Sequence, residues 1–211
     1  MFYNIPEAIQ KRMHYLESLN EKQRLDGTPS VQRLRQVPRE TGKFLGLLAA
    51  SAPDGTYLEI GTSAGYSTLW LALACRELNR KLVTFEILEE KVHLAKQTFS
   101  EAKIEDIVEL IHGDARDYLQ NYKNISFCFL DAVKKVYADC YEKIVPNMIS
   151  GGLLVADNAI SHKEILTPMI ERVLNDARKV SFTQIDEQVN DAIRRLYFST
   201  LRERRKHAST D

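Results

Sequence analysis

The sequence predicts an α/β fold in which a mostly parallel, seven-stranded sheet is doubly wound, with helices on both faces. From Thr56 onward, short apolar runs alternate with segments whose apolar residues recur every three or four positions, as in strands joined by helices. Two of these runs, FCFLD and LLVAD, are nearly all apolar, which is typical of strands buried on both faces of a parallel sheet. A length of 211 residues suits one domain with a sizeable core, so we expect residues 1–211 to form a single domain.

Two helices are predicted before the sheet. The first spans residues 3–25, where apolar residues at spacings of three and four mark one face, and the turn at residues 26–29 ends it. Pro38 opens the second at the favoured first helical position. The predicted apolar face of this second helix consists of Phe44, Leu45, Leu47 and Leu48. Residues 1–35 are therefore expected to be a helical extension of the domain.

The sheet follows as regular strand and helix units. The predicted parallel strands are residues 56–60, 81–86, 107–112, 125–131 and 152–157. The predicted helices between and after them are residues 66–78, 89–103, 115–121, 136–149 and 163–177. Two further strands, 180–185 and 192–200, are expected to form an antiparallel hairpin at one edge. This order predicts a Rossmann-like sheet.

Composition excludes several classes of protein. The 29 basic and 29 acidic residues give a net charge of zero, which argues against a dedicated nucleic-acid binder. Neither a membrane span nor a secretory h-region is present in the sequence. The three cysteines are expected to be buried, reduced thiols, which fits a cytoplasmic protein. The basic tail, residues 202–211, is expected to be frayed, the alternative being a phosphate or nucleic-acid contact.

Glycines follow the first strand in the segment from Gly61 to Ser67. Gly61 and Gly65 allow tight turning, and the helix that starts at Tyr66 offers free N–H groups to an anionic ligand. A dinucleotide fingerprint of the form G-x-G-x-x-G would need glycine at the positions of Ser63 and Tyr66, so a nicotinamide cofactor is not predicted. A phosphate-binding P-loop is excluded as well, because no Gly-Lys-Ser/Thr follows.

Acidic residues end the second and third strands. Glu86 can accept hydrogen bonds from both hydroxyls of a ribose, or it can cap the helix that follows. Asp114 can accept from the amine of an adenine, or it can be the N-cap of the short helix after it. For Asp114 both roles are compatible.

The fourth and fifth strands end in the most informative residues of the chain. Asp131, Asp157 and Asn158 offer two carboxylates and an amide oxygen, a donor set suited to Mg²⁺, Mn²⁺ or Ca²⁺. The alternative is two unrelated acids that cap helices. Lys134 is either a proton acceptor beside such a cation or a solvated surface lysine. His162 is either a substrate contact or a loop and cap residue.

Together these motifs resemble one family. YLEIGTSAGYSTLWLALA resembles motif I of the class I S-adenosylmethionine methyltransferases. FCFLDAVKKVYADCYEKIVPNMISGGLLVADN resembles the cation-dependent O-methyltransferases of the caffeoyl-CoA and catechol type. The resemblance covers about residues 37–158 and implies S-adenosylmethionine and a divalent cation, usually Mg²⁺, as cofactors. It also implies a homodimer.

The resemblance further implies a role for each site residue. Lys134 would be the general base, and the cation would be held by Asp131, Asp157 and Asn158. Glu59 would support the loop, Glu86 would bind the ribose, and Asp114 with Ala115 would flank the adenine. The complete cofactor-binding set would be Val37, Glu59, Gly61, Ser63, Gly65, Tyr66, Ser67, Glu86, Ile87, Asp114, Ala115 and Asp131.

The implied reaction is methyl transfer to a hydroxyl of a small acceptor, such as a catechol or another vicinal-diol phenol. Alternatives are a hydroxylated RNA base as acceptor, a nicotinamide-dependent oxidoreductase and a non-catalytic cofactor binder. The chain departs from the family by a short segment 159–162 before the next helix and by lacking glycine in its final turn. Asp186 and Glu187 lie near, but do not align with, an acid that orients the second hydroxyl in some members.

Overall fold

The computed structural model describes residues 4–30, 32–158, 162–176, 180–184 and 196–201. The helices are α1 Glu7–Leu25, α2 Arg39–Ser51, α3 Tyr66–Glu77, α4 Glu89–Ala102, α5 Tyr137–Ile144 and α6 Lys163–Leu174. The strands are β1 Thr56–Ile60, β2 Leu82–Glu86, β3 Val108–His112, β4 Ile125–Leu130, β5 Met148–Asp157, β6 Val180–Gln184 and β7 Leu196–Leu201. None of the described helices is long and apolar enough to cross a membrane.

The sheet has the order β3-β2-β1-β4-β5-β7-β6. The first five strands of that order are mutually parallel, and β7 runs antiparallel to both β5 and β6. The predicted doubly wound α/β fold is confirmed. The connection at residues 185–195 lies outside the described residues, so the predicted edge hairpin stays a prediction, as do the single-domain boundaries and the frayed tail at 202–211.

The strand order reverses between β1 and β4. From β1 the chain winds to β2 and β3 on one side, then returns to place β4 on the other side. Ile60 of β1 is level with Leu130 of β4, and Leu130 is level with Ala156 of β5. Ligands of open α/β sheets bind beyond the strand ends at such a reversal. The residues that follow these three strands therefore share one edge of the crevice.

Two apolar clusters cover the two faces of the sheet. One contains residues from α1, α2, α3 and α4, with Trp70 fully buried among them. The other contains residues from α5 and α6, with Tyr137 and Tyr141 at its centre. Burying such side chains is the main favourable contribution to folding, at about 25 cal/mol per Å² of apolar surface.

The packing face of α2 differs from the prediction. Leu47 is 52% exposed, while Leu45 and Ala49 are buried, and Phe44 and Leu48 are half-buried. The reason is a close approach of α2 to α3, where a Cβ on Gly42 would overlap the Trp70 indole. Small residues therefore define the contact face of α2.

Helix boundaries differ where proline and short turns intervene. The residue preceding each of α1 and α2 is a proline, Pro6 and Pro38, so Pro38 lies at the N-cap rather than at the first helical position. The predicted helix at 136–149 ends at Ile144 because a 3₁₀ turn containing Pro146 follows, and β5 begins at Met148. Residues 115–121 form two 3₁₀ turns.

Candidate functional site

The glycine loop, residues 61–66, joins β1 to α3. Gly61 and Gly65 have φ of +100° and +86°, and Gly65 is the N-cap of α3. A Cβ on Gly61 would overlap the carbonyl of Asp131 at the end of β4, so this position needs glycine for space as well as for its backbone angle. The backbone N–H of Gly61 donates to Phe85 O (3.0 Å), which fixes the loop to β2 as well.

A buried carboxylate supports this loop from beneath. Glu59 of β1 is fully buried, and it accepts hydrogen bonds from Ser67 Oγ (2.6 Å), Thr68 Oγ1 (2.6 Å) and Thr84 Oγ1 (2.7 Å). Burial raises the pKa of Glu59 to about 7, against the effect of the three hydroxyl donors, and the charge of Asp131 raises it further. Glu59 thus ties the start of α3 to two strands.

Glu86, at the end of β2, holds the glycine loop and the start of α4 together. Its Oε2 accepts from Ser63 N (2.8 Å), and its Oε1 accepts from Ile87 N and Leu88 N (both 2.9 Å). Glu86 is buried, whereas the Ile87 side chain is 57% exposed. A carboxylate has about four lone-pair sites, so capacity for a further donor remains. Ile87 and Leu88 precede α4, so Glu86 orders the chain before the helix and does not cap the helix's own N–H groups.

Asp114 is the N-cap of the turn that follows β3, as the capping alternative predicts. Its carboxylate accepts from Arg116 N (3.0 Å) and pairs with Arg116 Nη2 (2.6 Å). These hydrogen bonds and the guanidinium charge hold the pKa of Asp114 below its usual value. Ala115 beside it is buried. Asp114 therefore lies at the predicted place with its carboxylate already engaged.

The segment before α2 contacts the glycine loop. Ser63 Oγ donates to Leu34 O (2.9 Å), and Val37, three residues further along this segment, is buried. At the other end of the loop, Tyr66 OH donates to Glu17 Oε1 on α1 (2.5 Å). The site residues predicted from Val37 to Ser67 are thus brought together.

Polar groups converge beyond β4 and β5. Lys134 Nζ donates to Asp131 Oδ1 (2.8 Å) and to Tyr137 OH (2.7 Å), and Tyr137 OH donates to Asp157 O (3.4 Å). Burial raises the pKa of Tyr137 well above its usual value, and the charges of Asp131 and Asp157 raise it further. Tyr137 is thus connected to Asp131 through Lys134 and to the backbone of Asp157 directly. Asn158 follows with φ of +62°, which turns the chain away from the strand.

These observations decide some of the alternatives and leave others open. Lys134 is half-buried and ion-paired rather than a solvated surface lysine. His162 is the residue before α6, and its backbone N–H donates to Asn158 O (3.0 Å), which agrees with a cap role. Among the described residues, no three or more His, Cys, Asp and Glu side chains form a metal-binding group. The predicted cation set has only two carboxylates and depends on Asn158 for its third oxygen.

The sequence analysis missed several contacts of the site. One of them had a signal: Tyr137 lies three residues after Lys134, a helical spacing that places the two side chains together. Glu17 and Lys91 reach the site region from α1 and α4 without any local pattern. Residues 159–161, Asp186 and Glu187 lie outside the described residues.

Comparisons with known proteins show which family this chain resembles. A family model for O-methyltransferases matches residues 9–197. The chain is 32% identical over 145 residues to a catechol O-methyltransferase of Niastella koreensis, a match covering 66% of this chain and 63% of the relative. It is 33% identical over 132 residues to a catechol O-methyltransferase of Mycobacterium tuberculosis, covering 62% of this chain and 60% of the relative. The matched part thus spans less than two thirds of these relatives.

One solved structure shares both fold and sequence. The O-methyltransferase from Bacillus cereus in complex with SAH is 26% identical, with a TM-score of 0.72 over 92% of this chain and 91% of that one. The similarity therefore extends over almost the whole chain in three dimensions. The family predicted from the two sequence motifs is confirmed.

Proposed function

Because the chain belongs to the O-methyltransferase family, we propose that it transfers a methyl group from S-adenosylmethionine to a hydroxyl oxygen of a small acceptor. The acceptor class we propose is a catechol or another phenol with adjacent hydroxyls. The observation that carries the proposal is the pairing of two sites at one sheet edge. A glycine loop with a buried acid at the end of β2 adjoins two acids and a lysine at the ends of β4 and β5.

The donor is proposed to bind along the glycine loop. Its sulfonium supplies an activated methyl group. Glu86 has lone pairs left for ribose hydroxyls. The methionine carboxylate is proposed to be held by Ser67 and by the backbone near Val37. Because Ser67 Oγ donates to Glu59, Ser67 would act through its backbone N–H at the start of α3. Asp114 accepts an adenine amine only if it shares its carboxylate with Arg116. Transfer requires the acceptor oxygen, methyl carbon and sulfur to be in line, so the chain contributes chiefly by positioning.

A divalent cation, with Mg²⁺ preferred over Mn²⁺ or Ca²⁺, is proposed at Asp131, Asp157 and Asn158. The residues fit such an ion, because the set offers only oxygen donors and because Tyr137 OH connects the two strand ends, through Lys134 to Asp131 and directly to Asp157 O. When bound, a cation at this place lowers the pKa of an acceptor hydroxyl. Asp131 must release the Lys134 ammonium before Oδ1 becomes a ligand.

Lys134 is proposed as the general base. Only a neutral amine accepts a proton, so Nζ can act once it has left its ion pair with Asp131 and given its own proton to solvent. Tyr137 OH, within 2.7 Å of Nζ, then keeps the amine beside the strand ends. The proton from the acceptor hydroxyl goes to Nζ, while the methyl group leaves sulfur for oxygen.

The test is a transfer assay with labelled S-adenosylmethionine and a panel of catechols and simple phenols, with and without EDTA. We expect transfer to catechols that chelation abolishes. Asp131→Asn and Asp157→Asn should each lower kcat by roughly two orders of magnitude or more while the fold is kept, since each replaces an anionic carboxylate ligand by a neutral amide. Near-normal turnover in both variants would contradict the cation site.

A paired comparison tests the base. Lys134→Met should lower kcat far more than it weakens cofactor binding, whereas the matched change at the exposed neighbour, Lys135→Met, should leave both unchanged. Loss of cofactor affinity without loss of kcat in Lys134→Met would show that Lys134 holds the donor instead.

We further propose that the protein is a cytoplasmic homodimer. The three cysteines are buried and free, which suits a reducing compartment. The dimer rests on the family resemblance, and light scattering of the purified chain measures it directly.

A further inference from the structure

Residues 32–37, which we call the strap, contact the glycine loop through Leu34. The strap leads into α2 and includes Val37. Its Leu34 is held on both sides, because Leu34 O accepts from Ser63 Oγ in the glycine loop (2.9 Å) and Leu34 N donates to Gln23 Oε1 on α1 (2.9 Å). The strap is thus fixed both to the loop and to the N-terminal helix.

A buried lysine on α4 makes the third attachment. Lys91 Nζ donates to Gln32 O (3.1 Å) and to Arg33 O (3.0 Å), at the start of the strap. Lys91 is only 7% exposed. An ammonium removed from water is costly unless it is hydrogen-bonded, and these two carbonyls are its partners.

The position of Lys91 within α4 is unfavourable for a cation. It is the third residue of the helix, where the unpaired N–H groups and the helix dipole favour negative charge, as at Glu89 and Glu90 before it. Helix formation and solvation both oppose a buried lysine here. Its contacts with the strap are the compensating interactions that the structure offers.

Lys91 also lies close to the proposed ribose site. Glu86 ends the strand that precedes α4, and its charge acts on Lys91. Glu86 holds the glycine loop at Ser63 N, and Ser63 holds the strap through its hydroxyl. The lysine, the strap, the loop and the acid therefore form one circuit around the place proposed for the donor, in which hydrogen bonds make every link except the one between Glu86 and Lys91, which is electrostatic.

From this circuit we propose that Lys91 is a positioning residue that keeps the strap closed over bound S-adenosylmethionine and slows release of the cofactor. The inference rests on the proposed function. It assigns Lys91 no contact with the reacting atoms. With the strap loosened, the donor should bind more weakly and leave faster, while the chemistry at Asp131 and Lys134 proceeds unchanged in molecules that hold the donor.

The test compares Lys91→Met with Lys96→Met, which changes an exposed lysine on the same helix. We expect Lys91→Met to raise the dissociation constant and the KM for S-adenosylmethionine about tenfold, the size of effect expected when hydrogen bonds from a charged group are lost. Its kcat at saturating donor should stay unchanged, and Lys96→Met should match the wild type. Lys91→Arg, which retains donors and charge, should restore most of the affinity.

Two further measurements separate positioning from general destabilisation. In Lys91→Met the amides of the strap should exchange hydrogen faster than in the wild type, while the amides of the core strands keep their wild-type exchange rates. Gln23→Leu, which removes the other attachment from α1, should weaken donor binding in the same direction, and it keeps the inference testable if Lys91→Met does not fold. If neither Lys91→Met nor Gln23→Leu changes the affinity for S-adenosylmethionine, the inference is overturned while the proposed function stands. Absence of any binding by the wild type would overturn the proposed function and the inference with it.

Discussion

Glu59 should make the stability of the protein depend on pH in a way that one substitution removes. The carboxyl group is fully buried, and its partners are three hydroxyls rather than a cation. Burial raises the pKa of Glu59 from its usual 4.5 to about 7. The folded state therefore binds this proton more tightly than the unfolded state does.

The sign and size of this pH dependence follow from the thermodynamic linkage between proton binding and folding. A group whose pKa is raised on folding stabilises the native state fully below its unfolded value, and this stabilisation is lost as pH rises through the folded value. For Glu59 the loss runs from about pH 4.5 to about pH 7. Since one pKa unit corresponds to about 1.4 kcal/mol, the contribution is on the order of 3 kcal/mol, a sizeable part of the stability of a domain.

Glu59→Gln removes the titration but keeps the shape, and the surrounding hydroxyls can rotate to accept from the amide. The measurement is urea unfolding of both proteins at pH 4.5 and pH 8. The free energy of unfolding of the variant relative to the wild type should rise by about 3 kcal/mol between the two pH values. Glu77→Gln, at an exposed position of α3, is the control and should show no such change. A difference between wild type and Glu59→Gln that stays constant across this range would refute the reasoning.

Two further substitutions test the site. Gly61→Ala should destabilise the fold by roughly 1–3 kcal/mol and abolish donor binding, because it adds both backbone strain and a clash with a carbonyl. Gly27→Ala is the control, because Gly27 has a similar φ of +81° but open space around it. In thermal unfolding, Gly27→Ala should show the effect of the strain alone. Asp114→Asn should flatten the loss of stability in acid, because the paired carboxylate of Asp114 stabilises the fold above its usual pKa of 3.8 and loses that effect as pH falls through its lowered folded value. The acid limb of unfolding curves measures this effect, which Arg116→Gln should reproduce.

Local sequence patterns predicted the elements around the glycine loop closely. β1 matches the predicted range of 56–60, and α3 and α4 begin at the predicted residues, Tyr66 and Glu89. These boundaries coincide with changes in the sequence itself, where an apolar run stops at glycine or at acids and a helical period begins. The start of β5 was predicted four residues late, because a short 3₁₀ turn and two glycines interrupt the pattern there.

Contacts between distant parts of the chain were beyond reach for a physical reason. Lys91 is 59 positions from Gln32, and Tyr66 is 49 positions from Glu17. Neither pair leaves a periodic trace in the sequence, since Lys91, Tyr66 and Glu17 each look like ordinary helix residues and Gln32 looks like an ordinary loop residue. Leu47 was predicted to be buried because it is apolar, yet it is exposed. The close approach of α2 to α3 is made by the small residues beside it instead.

Asp131 links the two halves of the proposed site through different atoms. Its backbone N–H donates to Ile60 O (2.9 Å), and its carbonyl fills the space that glycine leaves at position 61. Its carboxylate instead engages Lys134 and adds charge near Glu59. The backbone of Asp131 thus packs against β1 and the glycine loop, whereas its carboxylate contributes negative charge at the end of β4. Replacing the carboxylate by an amide therefore changes the chemistry at the strand end without moving the glycine loop, which makes Asp131 the position where loss of turnover separates most cleanly from loss of structure.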